Sequence, residues 1–361
     1  MTSKNIGARS QHAAPDFRFC TSADGVTLAT TASGKGTPIV RAGTWLSHLE
    51  CDARHAEPRA LIDVMEQRHA FIRYDSRGCG LSDRQVPSIT FDDSVRDLEA
   101  VVDSYGLEQF SMLGISMGAA TAVAYAVKHP ERVSHLVLIG GFMRSVFSTP
   151  DASGRAVQEA ELIIRSAELG WASPKPHFRQ MFIAQLLARP TPQQQADLDE
   201  RMLLSMSPAV AASYLRNNYS IDVADLCAKV KAPTLAFHCR NDALIGFAQG
   251  REMAAAIPGA RFVPLESQGH ILQTTDAAWP MFCAETARFL GSAESAQNLT
   301  KRQAEVLLGV SRGLGDKQIA KLLGLSPRTV EMHVAGSLKA LGCATRAEAV
   351  HRAGSVGLLS R

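Results

Sequence analysis

The chain has 361 residues, of which 46% are hydrophobic and 20% are charged. It is too long for the usual single domain, and its composition is typical of a folded globular protein. No apolar run approaches the length of a membrane span and no signal-peptide core begins the chain, so we expect a cytoplasmic protein without membrane contact. The seven cysteines are scattered without a C-x-x-C pair, which argues against a disulfide framework or a zinc site. We expect neither a metal nor an organic cofactor.

The net charge of +3 is distributed unevenly along the chain. Residues 296–361 carry ten basic and four acidic side chains, a net charge of +6. The rest carries 28 basic and 31 acidic side chains, a net charge of −3. A small basic segment on a mildly acidic body indicates that this segment contacts a polyanion.

Residues 1–16 are predicted to form a polar N-terminal tail. Predicted strands and helices then alternate up to residue 141, which indicates a mostly parallel sheet with helices on both faces. The first two strands are predicted to form a hairpin around Ala23-Asp24-Gly25. The predicted strands are 17–20, 26–31, 38–41, 70–74, 110–115 and 133–139, and the predicted helices are 59–67, 92–105 and 119–127.

The alternating pattern breaks between residues 142 and 231. This stretch contains several helical patterns and no convincing strand, which predicts a helical lid inserted into the α/β domain. Met181 and Met206 are candidates for lining a ligand pocket under the lid, and the same side chains would equally well form the core of the insertion itself. The α/β pattern resumes with strands at 234–239 and 261–265 and helices at 248–256 and 277–290. The small, polar segment 291–298 is predicted to be a linker.

A candidate nucleophile lies in Gly114-Ile115-Ser116-Met117-Gly118. This segment follows a predicted strand and opens a predicted helix. In that context a serine sits on a strained turn with its hydroxyl exposed above the sheet, and the glycines let strand and helix approach. The alternative is an ordinary glycine-rich turn, because Gly and Ser are common in turns.

Two further residues complete a candidate catalytic triad. Asp242 follows the strand 234–239, and His270 follows the strand 261–265, so both should lie at the same sheet edge as Ser116. The order Ser, Asp, His is that of doubly wound hydrolases. His270 would take the proton of the serine hydroxyl, and Asp242 would orient the imidazole. The oxyanion hole would use the backbone N–H of Met117 and that of Thr44 or Trp45.

Residues 17–290 resemble the α/β-hydrolase fold family. The resemblance rests on the serine turn, on Asp75-x-Arg77-Gly78-x-Gly80-x-Ser82, and on the placement of Asp242 and His270. It implies an α/β-hydrolase fold with a helical lid. Many relatives carry His-Gly at the oxyanion loop, where this chain has Ala42-Gly43. The run Trp45 to Glu50 resembles the subgroup that is fused to bacterial signalling domains.

Four helices are predicted in residues 299–361. The first is capped by Thr300, and the second covers 316–323. Gly324-Leu325-Ser326 is a turn, and Ser326 with Pro327 at the next position begins a third helix that ends near residue 341. A fourth begins near residue 345. Two short helices joined by a glycine-containing turn in a basic segment predict a helix-turn-helix, with a generic helical bundle as the alternative.

The same segment is similar to the LuxR-type DNA-binding domain over its whole length. The similar residues are Leu299-Thr300-x-Arg302, Ile319-Ala320, Leu325-Ser326, Thr329-Val330-x-x-His333, Lys339-x-Leu341-Gly342 and Arg346-Ala347-Glu348-Ala349. The resemblance implies that the third helix enters the DNA major groove. The implied base contacts are Arg328, Thr329, Met332 and Val334, and the implied phosphate contacts are Lys317, Ser326, His333, Ser337 and Lys339.

The sequence therefore predicts a one-component transcription regulator. Its hydrolase-like domain would bind a small organic ligand, with hydrolysis of that ligand left open. Its LuxR-type domain would bind double-stranded DNA as a homodimer. One alternative is a serine hydrolase, an esterase or a C–C bond hydrolase, in which the DNA-binding segment is secondary. Another is a pure binder in which the triad is vestigial.

Overall fold

Eight strands form one sheet in the computed structural model, which describes residues 16–150, 152–297, 299–341, 343 and 345–355. The sheet order is β1-β2-β4-β3-β5-β6-β7-β8. β1 and β2 form an antiparallel hairpin, β2 runs antiparallel to β4, and every other neighbouring pair is parallel. This confirms the predicted mostly parallel sheet; the N-terminal tail up to residue 15 lies outside the described residues. The strands are β1 (Phe17–Thr21), β2 (Thr27–Ser33), β3 (Thr37–Arg41), β4 (His69–Tyr74), β5 (Phe110–Ile115), β6 (Val133–Ile139), β7 (Thr234–Cys239) and β8 (Arg261–Leu265).

Helices cover both faces of this sheet, as the continuous apolar runs of β5 to β7 require. α3 is a clear case of local encoding. It begins with a capping box in which Thr90 Oγ1 accepts from the Asp93 N–H at 3.2 Å and Asp93 Oδ2 accepts from the Thr90 N–H at 2.9 Å. The helices of this layer are α1 (Leu49–Arg54), α2 (Ala56–Glu66), α3 (Phe91–Ser104), α4 (Met117–Lys128), α10 (Phe247–Ala256) and α11 (Trp279–Gln297).

A helical insertion joins β6 to β7. Within its described residues the only β pairing is an isolated bridge between Arg144 and Asp222. Trp171 is buried, and its indole N–H donates to the carbonyl oxygen of Met202 at 2.9 Å, which ties α5 to α7. The insertion contains a 3₁₀ turn (Val146–Ser148), α5 (Gly154–Gly170), α6 (His177–Leu186), α7 (Pro192–Ser205), α8 (Pro208–Tyr219) and α9 (Ala224–Cys227).

The loop after β4 fixes the first helix to the sheet edge. Asp75 Oδ2 accepts from the N–H groups of Leu49 at 3.2 Å and Leu81 at 2.9 Å, and the Ser82 hydroxyl donates to the Asp75 carbonyl at 2.6 Å. Burial raises the pKa of the Asp75 carboxyl to about 7. Arg77 pairs with Asp97 at 2.6 Å, so the loop is also held from the side of α3.

We expect Asp75 to make stability depend on pH between about 4 and 7. The unfolded chain releases this proton near pH 4, whereas the folded chain keeps it up to about pH 7. The contribution of the group is therefore complete below pH 4 and is lost as the pH rises, by about 1.4 kcal/mol for each pH unit. The free energy of unfolding of wild type, measured with denaturant, should therefore fall relative to that of Asp75→Asn as the pH rises through this window. The exposed Asp92→Asn is the control, and a flat difference for Asp75→Asn would contradict the expectation.

The predicted linker 291–298 needs a correction, because α11 continues through it to Gln297. The segment contains no proline, and its two alanines, one glutamate and one glutamine favour a helix. Leu290 anchors the preceding turn in the core at 3% exposure. Gly291 costs up to about 1 kcal/mol in a helix, which is too little to end it here.

Within the described residues no helix is long and apolar enough to cross a membrane.

The C-terminal domain has four described helices around its own small core. Val306, Ile319, Val330 and Val334 are buried together, which joins the first three helices. Gly324 ends α13 in the left-handed conformation with φ 66°, and its N–H donates to the Ala320 carbonyl. The helices are α12 (Lys301–Ser311), α13 (Asp316–Leu323), α14 (Pro327–Leu341) and α15 (Arg346–Ser355).

Candidate functional site

Ser116 stands on a sharp turn between β5 and α4. Its backbone has φ 55° and ψ −124°, a conformation that non-glycine residues rarely adopt. A Cβ at Gly114 would lie 2.7 Å from Ala119 Cα, and one at Gly118 would lie 3.1 Å from the Ala42 carbonyl oxygen. Gly114 therefore leaves no room for a side chain between strand and helix, and Gly118 packs tightly against the oxyanion loop, which is the geometry of a nucleophile elbow.

Asp242 and His270 meet at the ends of β7 and β8. His270 Nδ1 lies 2.7 Å from Asp242 Oδ2, while Asp242 Oδ1 accepts from the N–H groups of Leu244 and Ile245, both at 2.9 Å. Burial raises the pKa of Asp242, but the His270 contact and these N–H donors outweigh it, so the pKa lies below its ordinary value. His270 Nε2 is buried and has no hydrogen-bond partner among the described residues. Asp242 thus orients the imidazole and leaves Nε2 without a competing contact.

A second histidine, which the sequence analysis did not select, packs on Asp242. His238 lies inside β7, and its Nε2 is 2.9 Å from the Ile245 carbonyl oxygen and 3.4 Å from Asp242 Oδ2. Burial lowers its pKa, so it is neutral at physiological pH. Its position four residues before Asp242 in a buried strand was the only available signal. Its contacts support the loop that carries Asp242.

The candidate oxyanion loop lies beside the serine. Thr44 and Trp45 line the same cavity as Ser116, and Met117 is buried at the start of α4. In the described part of the chain, the backbone N–H groups of these three residues have no hydrogen-bond acceptor. Leu46 follows with φ 62°, a left-handed conformation that costs a leucine about 1–2 kcal/mol. The oxyanion role of Thr44, Trp45 and Met117 stays a prediction that this arrangement permits.

A cavity of about 210 Å³ contains Ser116 and His270 in its wall. It lies at the carboxyl edge of the sheet, where α7 of the insertion supplies the opposite wall. Its volume is below the roughly 300–1,000 Å³ of pockets for drug-sized ligands, so it suits a small molecule. The walls are mostly apolar. They include Trp45, Leu46, Leu61, Ile115, Ile139, Leu186, Leu187, Leu198, Ile271, Leu272, Trp279 and Phe282.

The prediction that Met181 and Met206 line the ligand pocket needs a correction. Neither side chain lines the cavity. Met206 is buried in the main hydrophobic core, and Met181 is partly buried against that core. The alternative that these methionines form the core of the insertion is therefore the right one. Leu198, which belongs to α7, reaches the cavity instead.

Sequence reasoning also missed two cavity arginines. Arg41 ends β3, and Arg201 lies in α7. A charged residue at the end of a buried strand was a usable signal for Arg41, because ligand sites form at that sheet edge. Arg201 carried no such signal, since an arginine in an amphipathic helix usually faces solvent.

The predicted DNA-contacting residues lie on α13, on α14 and in the turn between them, and most of them reach the surface. Lys317, Ser326, Arg328, Met332 and Lys339 are exposed, and Thr329 and His333 are partly exposed. Ser326 also caps α14, because its Oγ accepts from the Thr329 N–H at 3.1 Å. These residues remain predicted contacts to bases or phosphates.

The implied DNA contacts of Val334 and Ser337, on the same helix, need a correction. Val334 is 3% exposed and Ser337 is fully buried, and the Ser337 hydroxyl donates to the His333 carbonyl at 2.8 Å. Their spacing explains this, since Val330, Val334, Ser337 and Leu341 follow the i, i+4, i+7, i+11 stripe that faces the domain core. Neither side chain can reach DNA without unpacking the domain.

Two family models match the chain. Residues 51–277 match the model described as alpha/beta hydrolase fold, and residues 297–353 match the model of bacterial regulatory proteins of the luxR family. The first match covers more than half of the chain. The protein therefore belongs to the α/β-hydrolase fold family, and it carries a C-terminal LuxR-family helix-turn-helix domain.

Relatives with known names match the hydrolase-fold part. A protein of Klebsiella pneumoniae named RutD, provisionally assigned as a carbamate hydrolase, is 23% identical over 225 residues, which is 59% of this chain and 79% of that protein. An esterase from Rhodococcus superposes with a TM-score of 0.59 at 24% identity, covering 76% of this chain and 98% of the esterase. A meta-cleavage product hydrolase from Pseudomonas fluorescens superposes with a TM-score of 0.61 at 17% identity, covering 76% and 98%. At these identities the structural likeness establishes the fold alone.

Proposed function

We propose that this protein is a DNA-binding transcription regulator whose hydrolase-fold domain binds a small organic ligand. The observation that carries the proposal is a cavity next to Ser116 in a chain that also has a LuxR-family DNA-binding domain. The cavity is walled by sheet-edge loops on one side and by α7 on the other, so a bound ligand contacts both. A ligand that binds one arrangement of these walls better than another shifts the population toward it.

The DNA-binding domain supplies the output. The exposed residues of α14 form the surface that would enter the major groove, with Arg328 and Thr329 near its N-terminal end. We propose that two copies bind together, because helix-turn-helix proteins read paired half-sites as dimers. Ligand binding would then change the affinity for DNA by the coupling between the two sites, which is typically 1–3 kcal/mol.

A serine hydrolase is the second candidate, favoured by the strained serine turn and the 2.7 Å contact between His270 and Asp242. In this version Ser116 Oγ attacks the carbonyl carbon of the ligand and its proton passes to His270 Nε2. The same imidazolium protonates the leaving group, and water then releases the acyl group from Ser116. The backbone N–H groups near Ser116 would stabilise the negative oxygen in each step. Hydrolysis would destroy the ligand and so end the signal, and it would not take the place of ligand-controlled DNA binding.

Filling the cavity with a larger side chain should prevent ligand binding and so remove any effect of the ligand on DNA affinity. Leu198 lines the cavity, whereas Leu162 of the same insertion is 62% exposed. We expect Leu198→Phe to abolish the thermal shift caused by any small ester or acid that stabilises wild type, because the larger ring takes the ligand's space. DNA affinity without ligand should stay unchanged, as measured by fluorescence anisotropy.

Leu162→Phe is the matched control and should respond as wild type does. A normal ligand response in folded Leu198→Phe would place the binding site elsewhere. A ligand that stabilises wild type but leaves DNA affinity unchanged would contradict the regulator proposal and leave the hydrolase alternative.

A further inference from the structure

Three arginines surround one buried carboxylate beside the candidate active site. Asp52 is fully buried, with Arg41 Nη2 at 2.9 Å from its Oδ2 and Arg201 Nη1 at 2.7 Å from its Oδ1. Arg73 Nη1 lies 3.6 Å from Oδ2. Burial opposes ionisation of Asp52, but the three guanidinium groups more than offset it, so its pKa lies well below the usual range. The cluster therefore holds three positive charges against one negative charge.

Several donors of this cluster lack acceptors. Arg201 Nη2 and the Nε and Nη1 of Arg73 are buried without a hydrogen-bond partner among the described residues. The contact between Arg201 and Asp52 is ionic but lacks the alignment of a hydrogen bond, since Asp52 Oδ1 has no hydrogen-bond partner either. A buried donor without an acceptor is costly, and more so when it is charged. Of these unpartnered donors, only that of Arg201 belongs to a residue that lines the cavity, where an anion could accept from it.

Two of the arginines face the cavity. Arg41 and Arg201 both line it, together with Ser116. Arg41 pairs in register with Leu113 of β5, three residues before Ser116, so both residues lie at the same sheet edge. Arg201 comes from α7 on the opposite wall. An anion that contacts both guanidinium groups would join the two walls of the cavity.

The acidic residues of the cavity are engaged elsewhere. Glu57 accepts from the Thr274 N–H at 2.8 Å and from Gln194 Nε2 at 2.7 Å, and Asp197 Oδ1 accepts from Gln193 Nε2 at 2.7 Å. All of these donors are neutral. His55, the remaining titratable group of the wall besides His270, lies 2.8 Å from Glu200 Oε2, a residue that is itself half-exposed. Among the described residues neither Glu57 nor Asp197 forms an ion pair with Arg41 or Arg201, so Asp52 is the one carboxylate paired with these two arginines.

We propose that the cavity takes a small organic monocarboxylate, whose carboxylate is bound by Arg41 and Arg201 while its apolar body packs against the wall that holds Ser116. The proposal rests on the proposed ligand-binding function and specifies its chemistry. A guanidinium group pairs with the two oxygens of a carboxylate through parallel N–H donors. A phosphate would need donors for three or more oxygens, whereas the rest of this small cavity is largely apolar.

The test is isothermal titration of the full chain with paired probes. The carboxylates are butyrate, hexanoate, benzoate and phenylacetate, each matched with its primary amide, and inorganic phosphate is added as a separate probe. At least one carboxylate should bind ten times more tightly than its amide. Arg201→Met should weaken that binding at least tenfold. Arg165→Met, which changes an exposed arginine of the same insertion, should leave it unchanged.

The proposal is overturned if every carboxylate binds no better than its amide, if phosphate is preferred, or if folded Arg201→Met binds as Arg165→Met does. Arg201→Lys decides should Arg201→Met fail to fold, because lysine keeps the charge and loses the planar fork. Wild-type affinity in Arg201→Lys would also overturn the proposal, and weakened affinity would support it. DNA affinity measured on the same samples separates the two proposals. Carboxylate binding without a change in DNA affinity would support this inference and contradict the regulator function.

Discussion

Ser116→Ala is expected to abolish covalent labelling of the protein by a fluorophosphonate probe that labels wild type. Ser116 stands on the elbow turn and lines the cavity, and His270 with Asp242 would supply the base and its orienting carboxylate. A serine without such a base reacts slowly. Positioned general bases contribute roughly 10²–10⁴-fold, so His270→Ala should slow labelling by about that factor.

A gel-based time course with the fluorescent probe measures these rates. Ser94→Ala is the matched control, since Ser94 lies on α3, outside the triad, and its hydroxyl donates to the Thr90 carbonyl. Equal labelling of wild type and Ser116→Ala would remove Ser116 as the nucleophile. Normal labelling of a folded His270→Ala would leave the serine without the proposed base and favour a vestigial triad.

The second large effect is expected on DNA recognition. Selection from random duplexes should recover a site with two-fold symmetry, with half-sites about 34 Å apart on one face of the DNA. Arg328 is exposed one residue after the first residue of α14. If it reads a base edge, Arg328→Ala should cost about 1–3 kcal/mol and relax preference at one position in each half-site.

Lysine variants should behave differently from Arg328→Ala. Lys317 and Lys339 are exposed and proposed to contact phosphates, so removing either should weaken binding to all sequences alike. The slope of affinity against salt concentration should flatten by about one unit for each contact removed. Lys175→Ala, an exposed lysine of the insertion, is the control. Salt-independent binding without an enriched site would contradict the DNA-binding role, and a site without symmetry would contradict only the dimer.

The strands that support the site were predictable because each is a buried apolar run between turn residues. β7 and β8 begin and end at the predicted residues, and their order along the chain places Asp242 and His270 at one edge. α1 was missed. It has only six residues, and its N-cap residue His48 makes no side-chain capping hydrogen bond, so no local sequence signal predicts it. The backbone N–H of Leu49 is held instead by Asp75.

The details of the cavity could not be predicted for a different reason. Periodicity identifies which face of a helix is apolar, but it does not say whether that face meets the core or a cavity. Leu198 and Met206 both pack in the main core, yet only Leu198 also lines the cavity, and the packing of α7 on the sheet edge decides this. The Asp52 cluster likewise joins β3, α1 and α7, which are far apart in sequence.

The most direct test of the regulator proposal occupies the cavity covalently and measures DNA binding. Wild type and Ser116→Ala are treated with a small alkyl fluorophosphonate, and their affinity for the selected duplex is measured by fluorescence anisotropy. We expect treatment to change the affinity of wild type by about 5-fold or more, which is the range of coupling between linked sites, and to leave Ser116→Ala unchanged. Equal affinity of fully labelled and unlabelled wild type would contradict the claim that the cavity controls the DNA-binding domain.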